Sequence, residues 1–244
     1  MEDESVHAIL RTRARQEYLF KVFEKGRGDP NVPLVDKLLD NLKPGRYRDY
    51  DQLPAIAVIE MCVRYSCVGR RVFIERGLID VLQDLVPELH DGEWHSGFTN
   101  LYRNTCASIL VHDESEPHFM KVFELYETTI QRKSYTLSGL EYIAEIGSAS
   151  IRMRICQSSA ILGAIIANIS GDKATENETE HTIKLLSDLA GQDIGIWNIL
   201  SSSSILLEEA QRVASRAETR SLNAAIAVFL DKLRNEHPQG RTVT

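Results

Sequence analysis

An all-α, layered helical domain is the architecture this sequence predicts, and three observations predict it. Apolar residues recur at i, i+3, i+4 and i+7 along almost every segment, the spacing of a helix that buries one face. No alternation of apolar and polar residues runs longer than a few positions, so strands are not expected. Helix starts near Ala55, Phe98 and Ser138 stand about 43 and about 40 residues apart, the period of stacked units with two or three helices each. After Gly171 that period becomes indistinct.

The strongest signal runs from Ala55 to Leu89. Ala55, Val58, Ile59 and Cys62 form one stripe and Leu78, Val81, Leu82, Leu85 and Leu89 a second. Each stripe needs a neighbour to cover it. Between them, Gly69 to Gly77 reads as a short amphipathic helix closed by a glycine that tolerates positive φ. Upstream, Glu4 to Lys25 and Val32 to Leu42 carry helical stripes, separated by the stop signal Gly26 to Pro30. Gly45 to Leu53 reads as a polar, aromatic connector, and Pro54 stands where a first-turn proline starts the Ala55 helix.

Downstream, Pro87 should end the Leu78 helix near Val86, and His90 to Gly97 should form a polar loop. Helices follow at Phe98 to Leu110 and His118 to Ile130. Ser138 with Glu141 has the spacing of a capping box for Leu140 to Ile146. Ile151 to Ser170 reads as one helix, the most hydrophobic of all and the expected centre of its half. Thr175 with Glu178 caps the next. Ser201 to Ser204 read as a turn or cap, Ile205 to Ala217 and Leu222 to Leu233 complete the fold, and 238–244 form a flexible tail.

At 244 residues and 43% hydrophobic residues, the chain can bury a substantial core without metal or disulfide staples. Cys62, Cys67, Cys106 and Cys156 sit inside apolar patterns without paired metal-ligand spacing, so buried, reduced thiols are expected. His90, Asp91, Glu93 and His95 could ligate a metal, but they lack the two-histidine spacing that faces one side of a helix. No cofactor is expected. The longest nearly apolar run, Ala160 to Ile169, is shorter than the roughly 20 residues a bilayer span needs, and no signal-peptide core follows the acidic Met1 to Glu4. A cytoplasmic protein without membrane contact is the expectation.

The net charge of −7 is uneven. Met1 to Arg76 carries fourteen Lys plus Arg against twelve Asp plus Glu, whereas the remainder carries fourteen against twenty-three. Overall acidity argues against a general nucleic-acid coat, which needs concentrated cations to neutralise phosphates.

Two stretches carry a resemblance. Arg70-Arg71-Val72-Phe73-Ile74-Glu75-Arg76-Gly77-Leu78-Ile79-Asp80-Val81-Leu82 is similar to the junction of armadillo or HEAT-type repeats, where a short helix ends in glycine before an aliphatic pair. Ala164-Ile165-Ile166-Ala167-Asn168-Ile169-Ser170-Gly171-Asp172 resembles the end of the third armadillo helix, including its asparagine. Where peptide-binding members carry a tryptophan one turn earlier, Ala164 stands here. The resemblance implies an armadillo-like α-solenoid over 53–172, inside a single all-helical domain of 1–244. It also implies a non-enzymatic protein–protein interaction scaffold. Asn168 is its candidate binding residue. Arg64, Arg70, Arg71 and Arg76 form a basic cluster suited to an acidic peptide or, under the alternative of a nucleoprotein or matrix-type assembly protein, a phosphate backbone.

Overall fold

The computed structural model describes residues 32–43, 49–89, 96–114, 117–130, 137–170 and 174–235. All regular structure among them is helical, and the fold is of the armadillo-like helical-repeat class. The helix expected over Glu4 to Lys25, most of the polar loop at His90 to Gly97, and the tail lie outside the described residues. Contacts divide the chain into two units, 1–132 and 133–244.

The first unit contains α1 (Val32–Leu42), α2 (Asp49–Tyr65), α3 (Cys67–Glu75), α4 (Leu78–Leu85), α5 (Ser96–His112) and α6 (Phe119–Ile130). Helices α1, α4 and α6 pack in one row and α2 packs along α5 in another, with α3 joined to α1, α2 and α4. The apolar stripes face these seams: Val58, Ile59, Cys62, Leu78 and Leu82 are fully or almost fully buried. Gly77, at φ 91°, makes the turn between α3 and α4 that the sequence assigned to it. As expected, α4 ends at Leu85, and a 3-10 turn holding Pro87 follows.

Two details differ from the sequence reading. Helix α2 starts at Asp49, so Pro54 lies inside it and the supposed connector from Asp49 to Leu53 is helical. Gln52 accounts for the earlier start: it is buried, and its amide donates to the last carbonyl of α1, at Leu42, over 3.4 Å. Cys67 is exposed, because it follows the N-cap Ser66 and opens α3 on the solvent side. Cys62, Cys106 and Cys156 are buried as expected, and burial pushes each thiol up to about 12.

The second unit contains α7 (Leu140–Ile146), α8 (Ala149–Gln157), α9 (Ser159–Ser170), α10 (Glu176–Ala190), α11 (Ile194–Ser202), α12 (Ser204–Ala214) and α13 (Arg220–Asn235). Each helix packs on the one three places later: α7 on α10 and α10 on α13, α8 on α11, α9 on α12. This is an internal repeat. Ser148 and Asp193 cap α8 and α11, Ser158 and Ser203 open α9 and α12, and both pairs are 45 residues apart. Thr175 and Thr219, which accept the amides of Glu178 and Leu222, are 44 apart. Long-range polar bonds join residues slightly less than one such repeat apart: Asp36 to Arg76, Asp80 to Lys121, Glu141 to His181 and Ser170 to Arg212 span 40 to 42 residues.

Three expectations for this unit are corrected. The span from Ile151 to Ser170 is two helices bent by 74°, because Ser158 leaves helical geometry (φ −69°, ψ 113°) and its hydroxyl caps the amide of Ile161. Helix α9 is not central: its buried residues are Ile161, Ile165 and Ile169 along one stripe, while α10 buries residues on several sides and touches α7, α8, α9, α11 and α13. The capping box expected of Ser138 does not form. Gly139, at φ 91°, is the N-cap of α7, and the Glu141 carboxylate pairs with His181 instead. The capping box of Thr175 and Glu178 is present as expected.

Carboxylates at the start of α10 hold α13. Glu176 accepts the backbone amides of Glu218 at 2.6 Å and Thr219 at 3.1 Å, and Glu180 accepts the hydroxyl of Ser221 at 2.7 Å. Hydrogen bonds from Glu218 and Thr219 keep the Glu176 carboxyl below its ordinary value of 4.5, and a bond from Lys184, then from Ser221, does the same for Glu180. A carboxylate whose folded value is depressed stabilises the fold above its unfolded value, and loses that contribution as pH falls through the folded one. Protection of 218–235 against hydrogen exchange, taken relative to the intrinsic rate at each pH, is therefore expected to fall as the pH drops below the ordinary glutamate value, with a smaller acid response in Glu176→Gln. Equal acid responses in the two proteins would show that this clasp does not hold α13.

Candidate functional site

The basic cluster of the elbow is distributed over several ion pairs. Arg70 is buried, donates from Nη1 to the Val63 carbonyl at 2.8 Å and pairs with Asp113 at 3.1 Å. Arg76 makes a bidentate bond to Asp36 of α1, at 2.7 and 2.5 Å. Arg64 pairs with Glu60 at 3.5 Å and lies 5.3 Å from the Tyr65 ring centroid. Burial pushes the Glu60 carboxyl up, and the Arg64 charge partly offsets that rise. Arg71 is exposed, with Glu75 at 4.0 Å. Arg71 is thus the member of the four most open to an outside ligand, while Arg70 is committed to the fold.

Arg70 shares its structural task with two residues that the sequence did not mark. Arg103 of α5 is fully buried and donates to the carbonyl of Thr129 in the last turn of α6. Arg212 of α12 donates to the carbonyl of Ser170, the last residue of α9, at 3.0 Å, and bonds Glu209. In all three places a cation reaches the C-terminal carbonyls of a helix, which lack partners within their own helix and lie at the negative end of its dipole.

Asn168 is half-buried on α9, and its Nδ2 donates to the carbonyl of Ala164 at 3.0 Å. The open side of α9 is small in profile: Ala160 and Ala164 are partly exposed and Gly163 and Ala167 exposed, and a Cβ on Gly163 would meet nothing within 4 Å. Helix α12 packs alongside. At the positions 45 residues later it carries Ile205, Glu208, Glu209 and Arg212, and Ile205 is 61% exposed. The two helices therefore present one mixed surface, small and apolar on α9, larger and charged on α12. The sequence singled out Asn168 on α9 but nothing on α12. An alignment of 147–190 with 191–235 would have found it, since Ile151, Ile155, Ile161 and Ile165 fall on Ile196, Leu200, Leu206 and Ala210.

A concavity lies between α7 and α10, about 500 Å³ in volume and lined by Glu141, Glu145, His181, Leu185 and Asp188 among others. His181 Nε2 and Glu141 Oε1 meet at 2.6 Å across it, and both side chains are exposed. No group of three or more metal-capable side chains converges among the described residues. No single described helix is long and apolar enough to cross a membrane.

The paired rows and the repeat near 45 residues define a helical-repeat protein. No family model matches the chain, and no curated protein matches it in sequence. Among solved structures it is similar to the designed armadillo repeat protein YIII(Dq)4CqI, with a TM-score of 0.50 and 13% identity over 93% of this chain and 98% of that one. A crystal structure of an engineered protein gives a TM-score of 0.51 and 13% identity over 96% and 98%. At that identity the likeness establishes an armadillo-like helical-repeat fold.

Proposed function

We propose that this protein is a non-enzymatic scaffold that binds another protein through the exposed side of its repeats. The observation that carries the reading is the contrast between core and surface in the second unit. Buried positions 45 residues apart keep their apolar character, as in Ile155 and Leu200 or Ile161 and Leu206. Exposed and partly exposed positions in the same register change freely: Ala160 becomes Ile205, Gly163 Glu208, Ala164 Glu209 and Ala167 Arg212. A stack held by a repeated core can vary its displayed side chains without losing the fold, which suits a binding surface. The partner is a protein segment that meets the α9 and α12 surface. At the elbow an acidic peptide would have to compete with Glu75 for Arg71. The nucleoprotein alternative is not favoured, because Arg64, Arg70 and Arg76 already pair with carboxylates.

The test is affinity capture from nuclease-treated cytoplasmic extract with the full chain and with Ile205→Glu. A partner retained after nuclease treatment and lost with Ile205→Glu is the expected result. Capture that nuclease abolishes, together with RNA binding that weakens steeply with salt, would overturn the scaffold reading.

A further inference from the structure

From the repeat geometry of the second unit we infer a self-association surface: the outer face of α13 pairs with the same face of a second copy, antiparallel and about a two-fold axis. The face is identified by the internal repeat. On α10, the residues that hold α13 are Glu176 and Glu180. The 44-residue register that superposes Thr175 on Thr219 and Leu189 on Leu233 puts Arg220 and Ala224 at those positions of α13. What α13 partly covers on α10 is open on α13 itself: Arg220, Ala224, Ala227 and Asp231 are all exposed, and Val228 beside them is 62% exposed.

The spacing i, i+4, i+7, i+11 places Arg220, Ala224, Ala227 and Asp231 on one side of the helix. Their order reads as its own complement when reversed. Two antiparallel copies centred between Ala225 and Ile226 put Arg220 opposite the second copy's Asp231, Ala224 opposite its Ala227, and the same pairs again by symmetry. An isologous interface requires that self-complementarity. The small side chains at its centre allow two helices to approach closely, with Val228 adding apolar area at the edge. Arg220 and Asp231 cannot satisfy each other within one chain, because eleven residues of helix separate them by about 16 Å, and neither makes an ion pair among the described residues. Charge complementarity thus selects a second copy as the occupant.

Sedimentation equilibrium of the full chain over a range of concentrations tests this. The expected result is a reversible dimer that weakens about tenfold or more in Arg220→Asp and in Asp231→Arg, since each places like charges opposite one another twice per dimer, and that recovers in the double swap. Both positions are exposed, and each swap puts a charge of favourable sign near its helix end, so folding should be preserved; far-UV circular dichroism checks this, and either single variant suffices if the other fails to fold. A monomer up to about 0.5 mM, within the concentration range where weak specific association is detectable, would overturn the proposal. So would a dimer unaffected by the single swaps, or one that the double swap does not restore.

Discussion

Leu82→Ala is expected to lower stability by about 2 to 5 kcal/mol, the cost of removing a buried isobutyl group and leaving a cavity that neighbours fill only in part. Leu82 is fully buried on α4, which packs between α1 and α6, and its carbonyl accepts the Tyr102 hydroxyl of α5 at 3.0 Å. The substitution leaves that carbonyl in place, so the loss reports on packing. The neighbouring Gln83 is exposed and provides the control. Chemical denaturation followed by far-UV circular dichroism measures both, and a Leu82→Ala midpoint shift no larger than that of Gln83→Ala would refute the assigned role of α4.

Arg103→Ala should be comparably damaging, at about 3 kcal/mol or more, for two separable reasons. The Thr129 carbonyl would lose a donor in a buried site, which costs about 1 to 3 kcal/mol, and truncating a fully buried long side chain leaves a void. The positive charge is also felt locally: burial raises the Cys106 thiol and the Tyr126 hydroxyl, and Arg103 partly opposes both shifts. Arg103→Met keeps most of the volume and removes the charge, which relieves the cost of holding a cation away from water. It should therefore destabilise clearly less than Arg103→Ala. If methionine is as costly as alanine in the same denaturation experiment, the guanidinium's bonds, and not its volume, dominate at this site.

These variants test different levels of what could be read from the chain. Leu82 was legible because an apolar stripe on a short amphipathic helix has one low-energy solution, burial against neighbours. Arg103 was not, since periodicity treats an arginine as a surface residue and cannot anticipate that a packed helix end will present it with a carbonyl. The same limit applied to the elbow. Arg64 and Glu60, four residues apart on one helix, were foreseeable as a pair, whereas Asp36 for Arg76 and Asp113 for Arg70 lie 40 or more residues away and meet only after the helices stack. Within the candidate surface, Asn168 carried a local signal and Ile205 none, because exposure of an isoleucine is decided by what packs beside it.

Sequence alone determined the helical class, the positions of most helices, the Gly77 turn and the Thr175 capping box, since each follows from contacts within a few residues. Tertiary structure decided the rest. It placed the break at Ser158, where a hydroxyl captures a backbone amide and redirects a continuous apolar stretch. It made α10, not α9, the centre of the second unit, because an all-round apolar composition does not say which sides find partners. It also showed what the internal repeat does: its members share buried positions and capping side chains but little else, a faint signal in the sequence that gains its meaning when α7, α8 and α9 lie against α10, α11 and α12.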